Sequence, residues 1–237
     1  MEGIPSAYYS PTLKTPMTHK LPTTAALLLT SLVLGSWFVQ PVKNPSAVFK
    51  EVTIGTQTWM AENLDVDTFR NGDTIFQART KADWQKATKK KLPAWCYYNN
   101  SAANELVYGK LYNWYTVTDS RNVCPTGWHV PTDEEWAGLT DYLGGDSVAG
   151  GKMKTISGWI GSNNSATNES GFSGLPGGYR SDGYDNFSAV GSNSYSWSTS
   201  EDGPYSAWSL FLYNAYGNAY RNSYSKRDGF SVRCLKD

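Results

Sequence analysis

Residues 124–136 read CPTGWHVPTDEEW. After Pro131, Thr132 stands three residues ahead of Glu135, the S/T-x-x-E capping box that opens a helix. Asp133 and Glu134 suit the positive end of the helix dipole. Trp136, Leu139 and Leu143 follow at i, i+3 and i+7, and Gly144-Gly145 ends the run. This pattern predicts one amphipathic helix after Pro131. His129 sits just ahead of it, beside Trp128. As a general base it would want a nucleophile and an orienting carboxylate, which Glu134 or Glu135 would supply. Because Pro131 and the capping box already account for the motif, His129 is read as structural.

Upstream, Leu106–Val117 carries Leu111, Trp114 and Tyr115 at helical spacing and predicts a second short helix. Phe49–Ile54 alternates up to Gly55 and, with Gln57–Met60, predicts a hairpin. Beyond Ile156 the chain changes character: residues 157–237 hold eight of the 16 tyrosines and few aliphatics. Alternating runs at Tyr195–Thr199, Ala207–Tyr213 and Gly229–Leu235 predict antiparallel strands with long polar connections. Two short helices followed by a loop-rich antiparallel sheet make an α+β domain. Trp59, Leu111, Trp114, Trp128, Trp136, Trp197, Trp208, Phe230 and Val232 are its expected framework.

At the front, Ala25–Val39 (AALLLTSLVLGSWFV) has no charge. It is short for a membrane span, which needs about 20 residues, and suits the apolar region of a signal peptide, with Lys20 just ahead. The alternative is a buried core helix. Met17 opens MTHK, which resembles a signal-peptide start better than the Pro-containing residues before it. Residues 1–47 are therefore expected to be a targeting segment and Pro-rich linker, and 48–237 one domain. The expected location is exported: cell surface, periplasm or secreted, with membrane attachment only through an uncleaved first segment.

Composition narrows function. Lys plus Arg and Asp plus Glu both total 21, so no basic excess favours nucleic acid. Charged residues are 18% and aromatics 14%, including 10 Trp, which describes a neutral, aromatic surface rather than a disordered tail. Only two histidines occur, His19 and His129, so no multi-histidine metal site can be built. Cysteines stand at 96, 124 and 234, without a C-x-x-C. An oxidising compartment permits pairing. A Cys124–Cys234 bridge would span 110 residues and leave Cys96 free; the alternative keeps all three reduced. No cofactor is expected.

The stretches IGTQTWMAENLDV (54–66), YGKLYNWYTV (108–117), CPTGWHVPTDEEW (124–136), NESGFSGLPGGYR (168–180) and GFSVRCLKD (229–237) together resemble the Fibrobacter succinogenes major paralogous domain. They occur in that family's order and cover nearly all of 48–237. The resemblance implies a C-type-lectin-like fold of the formylglycine-generating-enzyme type, an exported bacterial or phage-related protein, and a bridge between Cys124 and Cys234. Formylglycine-generating enzymes use a cysteine pair, and here only Cys96 remains after the bridge. The E-P-N, Q-P-D and W-N-D motifs of calcium-dependent lectins are missing; Asp182, Asp185, Glu201 and Asp202 are read as solvated loop carboxylates and no metal is expected.

Between Trp208 and Gly229 the chain reads SLFLYNAYGNAYRNSYSKRD. Tyrosines at 213, 216, 220 and 224 are interleaved with Asn, Ser, Ala and Gly, the mixture that serves antibody loops. The bland reading is a Tyr-rich strand and loop of no special role. The expected contact surface is Tyr179, Arg180, Ser209, Phe211, Tyr213, Tyr216, Tyr220, Arg221 and Tyr224, facing a protein or glycan on another surface. The resemblance further suggests a variable protein of a diversity-generating retroelement, because Asn codons altered at their adenines yield largely the residues found here. A structural envelope protein and, last, an enzyme of the formylglycine-generating type are the alternatives.

Overall fold

The computed structural model describes residues 49–163, 165–183 and 187–237. The expected targeting segment and linker (1–47), with the apolar run 25–39, and Asp185 lie outside the described residues. In chain order the elements are β1 (Glu51–Ile54), β2 (Gln57–Met60), β3 (Phe76–Gln77), α1 (Lys81–Lys89), β4 (Ala94–Cys96), α2 (Glu105–Tyr108), β5 (Leu111–Tyr112), α3 (Trp114–Val117), β6 (Trp128–His129), α4 (Asp133–Tyr142), α5 (Asp146–Met153), β7 (Gly177–Arg180), β8 (Phe187–Val190), β9 (Asn193–Glu201), β10 (Ser206–Tyr213), β11 (Ala219–Ser225) and β12 (Leu235–Lys236). They form four small sheets, antiparallel except for the β3–β4 pair: β1-β2-β12-β6, β11-β10-β9, β3-β4-β5 and β7-β8. The class is α+β. Among the described residues no helix is long and apolar enough to cross a membrane.

The helix after Pro131 is α4. Thr132 accepts from the Glu135 N–H while the Glu135 carboxylate accepts from the Thr132 N–H, closing the capping box. Trp136 and Leu139 are fully buried, and Gly144, at φ +103°, turns the chain out of the helix.

The helix expected over 106–117 is two single turns, α2 and α3, with β5 between them. Gly109 breaks it at φ +70°, and a Cβ there would lie 2.9 Å from the Leu64 carbonyl oxygen. Leu111, whose helical spacing prompted the expectation, is a strand residue paired with Cys96. The strand expected over 229–235 also shrinks: only Leu235 and Lys236 make β12, while Phe230 and Ser231 form isolated bridges to Tyr112 and Ser196. Among the described residues five α-helices stand where two helices were expected. The signal for α1 was local, since Thr80 and Asp83 close a second capping box. For α5 it was masked by Gly150-Gly151, poor helix formers.

The β9–β10–β11 sheet separates two apolar clusters. Leu210, Leu212 and Ala219 face Trp59, Trp136, Ala149, Met153 and Phe172. Ala207, Tyr195 and Trp197 face Tyr112, Trp114, Phe230 and the cystine of Cys124 and Cys234. That bridge is formed, with Cα atoms 6.1 Å apart, and Cys96 is a free, buried thiol. Of the expected framework, Trp208 alone is only half-buried.

Candidate functional site

Strand alternation sorts the tyrosine-rich segment. In the β10–β11 hairpin Phe211 pairs with Tyr220, and across β9 it pairs with Tyr195. These three side chains share one face of the sheet, as do Tyr213 and Tyr224 two or four positions away. The rings stack into a ladder. Phe230 lies 4.3 Å from Trp197, Tyr195 4.8 Å from Phe230, Phe211 4.9 Å from Tyr195 and Tyr220 5.7 Å from Phe211, all within 28° of parallel. Trp197 and Phe230 are fully buried and Tyr195 nearly so, whereas Phe211 and Tyr220 are half-exposed. The ladder thus runs from core to surface. Tyr213 lies 6.3 Å from Phe211, and Tyr216, 55% exposed in the turn, 5.5 Å from Tyr213. Tyr179, from β7, and Tyr224 meet Tyr195 edge-on.

Six of the nine expected contact residues therefore converge: Tyr179, Phe211, Tyr213, Tyr216, Tyr220 and Tyr224. The other three are corrected. Arg180 is 2% exposed, its guanidinium over the rings of Trp84 and Phe187 and donating to the Thr80 carbonyl. Ser209 shares the ladder's strand parity but is fully buried. Arg221 projects from the other side of the sheet and donates to Asp133 at the start of α4. Residue type suggested Arg180 and Arg221, since arginine with tyrosine is typical of binding hot spots; it does not record which way a strand residue points. Tyr195 was missed, although its strand was expected, because burial by the ladder has no local signal.

The other candidate groups are engaged elsewhere. The His129 ring lies between Glu135 (2.9 Å) and Asp237 (2.7 Å), whose carboxylates raise its pKa against the effect of burial. Burial pushes the Cys96 thiol up to about 11, which leaves it protonated at neutral pH. Asp182 accepts from Thr88 and sits near Arg227, and Glu201 pairs with Lys226. Among the described residues no group of three or more His, Cys, Asp or Glu side chains is placed to hold a metal ion.

The profile of the Fibrobacter succinogenes major domain matches residues 52–236. The chain belongs to that family. Searches of curated proteins and of solved structures found no match. In this family member the motif GFSVRC supplies the inner ladder ring, Phe230, and one half of the bridge, Cys234, while NESGFSGLPGGYR supplies Tyr179.

One acid lies beside the ladder. Asp228 is 9% exposed, close to Tyr195 and Tyr224, and burial pushes its carboxyl up to about 6. The Asp182 N–H donates to it at 2.9 Å and favours the charged form, while the Asp182 carboxylate opposes it. The folded state holds this proton more tightly than the unfolded chain, where aspartate titrates near 3.9. Stability from Asp228 is therefore fully present below that range and is lost as pH rises through about 6. The loss at neutral pH is on the order of 3 kcal/mol. Asp228→Asn is expected to stabilise the protein at pH 7 by about 1–3 kcal/mol and to flatten the pH 4–6 slope in urea unfolding. Equal slopes in both proteins would refute this.

Proposed function

We propose that this is an exported binding protein that docks another surface through the aromatic face of its β9–β10–β11 sheet. The finer fold assignment, C-type-lectin-like, belongs to the same proposal and is supported by the pairing of the last strand, β12, with β2 near the start of the domain. The observation that carries the function is the ladder's outer end. Phe211, Tyr213, Tyr216 and Tyr220 form a contiguous, part-exposed aromatic group on a stiff hairpin, and such rigid amphipathic anchors are typical of binding hot spots.

The favoured partner is a protein. Inner rings spend both faces on one another, so the surface offers ring edges and hydroxyls, with a free face only at its outer rings. Protein interfaces use such edges and hydroxyls readily. A sugar stacking on open faces would find fewer of them. Variation by a retroelement fits the Asn, Ser, Ala and Tyr of residues 213–224 and stays part of the proposal; a near-copy of the segment beside a reverse-transcriptase gene is its genetic test.

The assay compares the protein with a Tyr213→Ala, Tyr216→Ala, Tyr220→Ala variant on an array of bacterial surface proteins and on a glycan array. The expected result is protein binding that the variant weakens by at least about 30-fold, since truncating even one hot spot costs at least about 2 kcal/mol and the three losses are not additive. Binding confined to glycans overturns the partner class. Equal binding by a folded variant overturns the site.

A further inference from the structure

Residues 214–218 join β10 to β11 and carry Tyr216. Two of their carbonyl groups, those of Asn214 and Tyr216, turn inward with that of Tyr213 onto a single cation. Lys154 follows α5 directly and is fully buried. Its ammonium donates toward the carbonyl oxygens of Tyr213 (2.9 Å), Asn214 (3.2 Å) and Tyr216 (2.8 Å), and toward Ser165 Oγ at 3.3 Å. The Trp159 ring lies 5.3 Å away. Among the described residues its contacts include no carboxylate. A buried charge without a counter-ion is costly unless dipoles satisfy it, and here carbonyl dipoles of the turn take that part.

The preceding turn of α5 grips the same segment. The Gly151 N–H donates to the Gly217 carbonyl at 2.9 Å. Gly150 packs so closely that a Cβ would lie 2.0 Å from the Asn218 carbonyl oxygen, a distance no side chain tolerates. Helix interiors normally favour alanine over glycine by about 1 kcal/mol, so two adjacent glycines here mark a close backbone approach. Asn214 also ties in: its N–H donates to the Ser192 carbonyl, and its Nδ2 to that of Ile160. These contacts address main-chain atoms of the turn, with the Asn214 amide as the one side chain that joins in.

We propose that Lys154 is a positioning residue for the aromatic site, holding the turn by its main chain so that the shape is independent of the side chains at 213, 215 and 216. The proposal rests on the binding role assigned to that face. It implies that exchanging Tyr213 or Tyr216 alters which partner fits without reshaping the hairpin.

The test reads the turn itself and needs no partner, so its failure is distinguishable from failure of the binding assay. Amide hydrogen exchange is followed over residues 213–218, with the β1–β2 hairpin as internal reference, in the protein, in Lys154→Met and in a Tyr213→Ala, Tyr216→Ala double variant. Lys154→Met keeps most of the volume and removes the donors. It is expected to speed exchange in the turn by at least about ten-fold, with the reference unchanged, because losing several hydrogen bonds lowers the local opening energy. The double variant is expected to stay within about two-fold. Unchanged exchange in Lys154→Met overturns the proposal. So does equal acceleration in the reference hairpin, which would make Lys154 an ordinary core residue, and so does a double variant as loose as Lys154→Met.

Discussion

Replacing Cys124 and Cys234 together by alanine is expected to lower the unfolding free energy by about 4–5 kcal/mol. The bridge closes a loop of 110 residues, and opening it returns that chain entropy to the unfolded state. Both half-cystines are fully buried, and the bridge fastens the last stretch of chain, where the Met60 N–H donates to the Cys234 carbonyl, to the loop ahead of Trp128. Marginal stabilities of about 5–15 kcal/mol make such a loss severe. Urea unfolding of the double variant, compared with Cys96→Ala, separates the cross-link from the loss of a buried sulfur. A loss below about 1 kcal/mol in the double variant would show that the unfolded chain is not constrained as the loop length requires.

The second large effect is expected at Trp197, the inner end of the ladder. It is fully buried, its ring stacks on Phe230, and its Nε1 donates to the Tyr112 carbonyl at 2.8 Å. Trp197→Ala removes the largest type of side chain from the core and is expected to cost about 3–5 kcal/mol. Trp197→Phe, which keeps a ring and loses the donor, is expected to cost about 1–3 kcal/mol. The same change is expected to reach the surface: with the inner ring gone, Phe230 loses its stacked neighbour, and the stack that runs through Tyr195 and Phe211 to Tyr220 loses its inner support. Near-ultraviolet circular dichroism at a temperature where Trp197→Ala remains folded should show tyrosine bands reduced beyond the single lost tryptophan. Unchanged tyrosine bands would mean that the outer rings hold themselves, and that the ladder transmits nothing.

Legibility followed the range of the interaction. α4 was readable to its caps because a capping box closes between residues three apart and an apolar stripe repeats every turn. The strands about Tyr195 and Ala207 were readable from alternation. β11 was not, although it lies inside the segment singled out for its tyrosines: Asn, Ser and Arg in that run hide the period, and pairing with β10 makes it a strand. Leu106–Val117 shows the opposite error. Leu111 and Trp114 keep helical spacing, but Gly109 breaks the chain and β4 captures Leu111 from fifteen positions away. At the site, residue type identified six members of the face, because tyrosine and phenylalanine advertise contact area. It misplaced Arg180, Ser209 and Arg221, because charge and polarity do not report direction.

By itself, the sequence determined the capped helix, the α+β class and, through five ordered motifs, the family. Each of these is written in neighbouring residues or in a pattern of residues. Only the tertiary structure decided that Arg221 and Tyr220, adjacent in the chain, serve opposite sides of one sheet. It alone also decided that Arg180 and Ser209 are interior, and that Lys154 reaches a turn some sixty positions away. The physical reason is that a strand's alternation is known from the sequence only up to a choice of face. That choice is made by which distant elements pack on each side. Here α4 and α5 claim Leu210 and Leu212 for one core, Phe230 and Trp197 claim the other, and the tyrosines are left to stack outward from it.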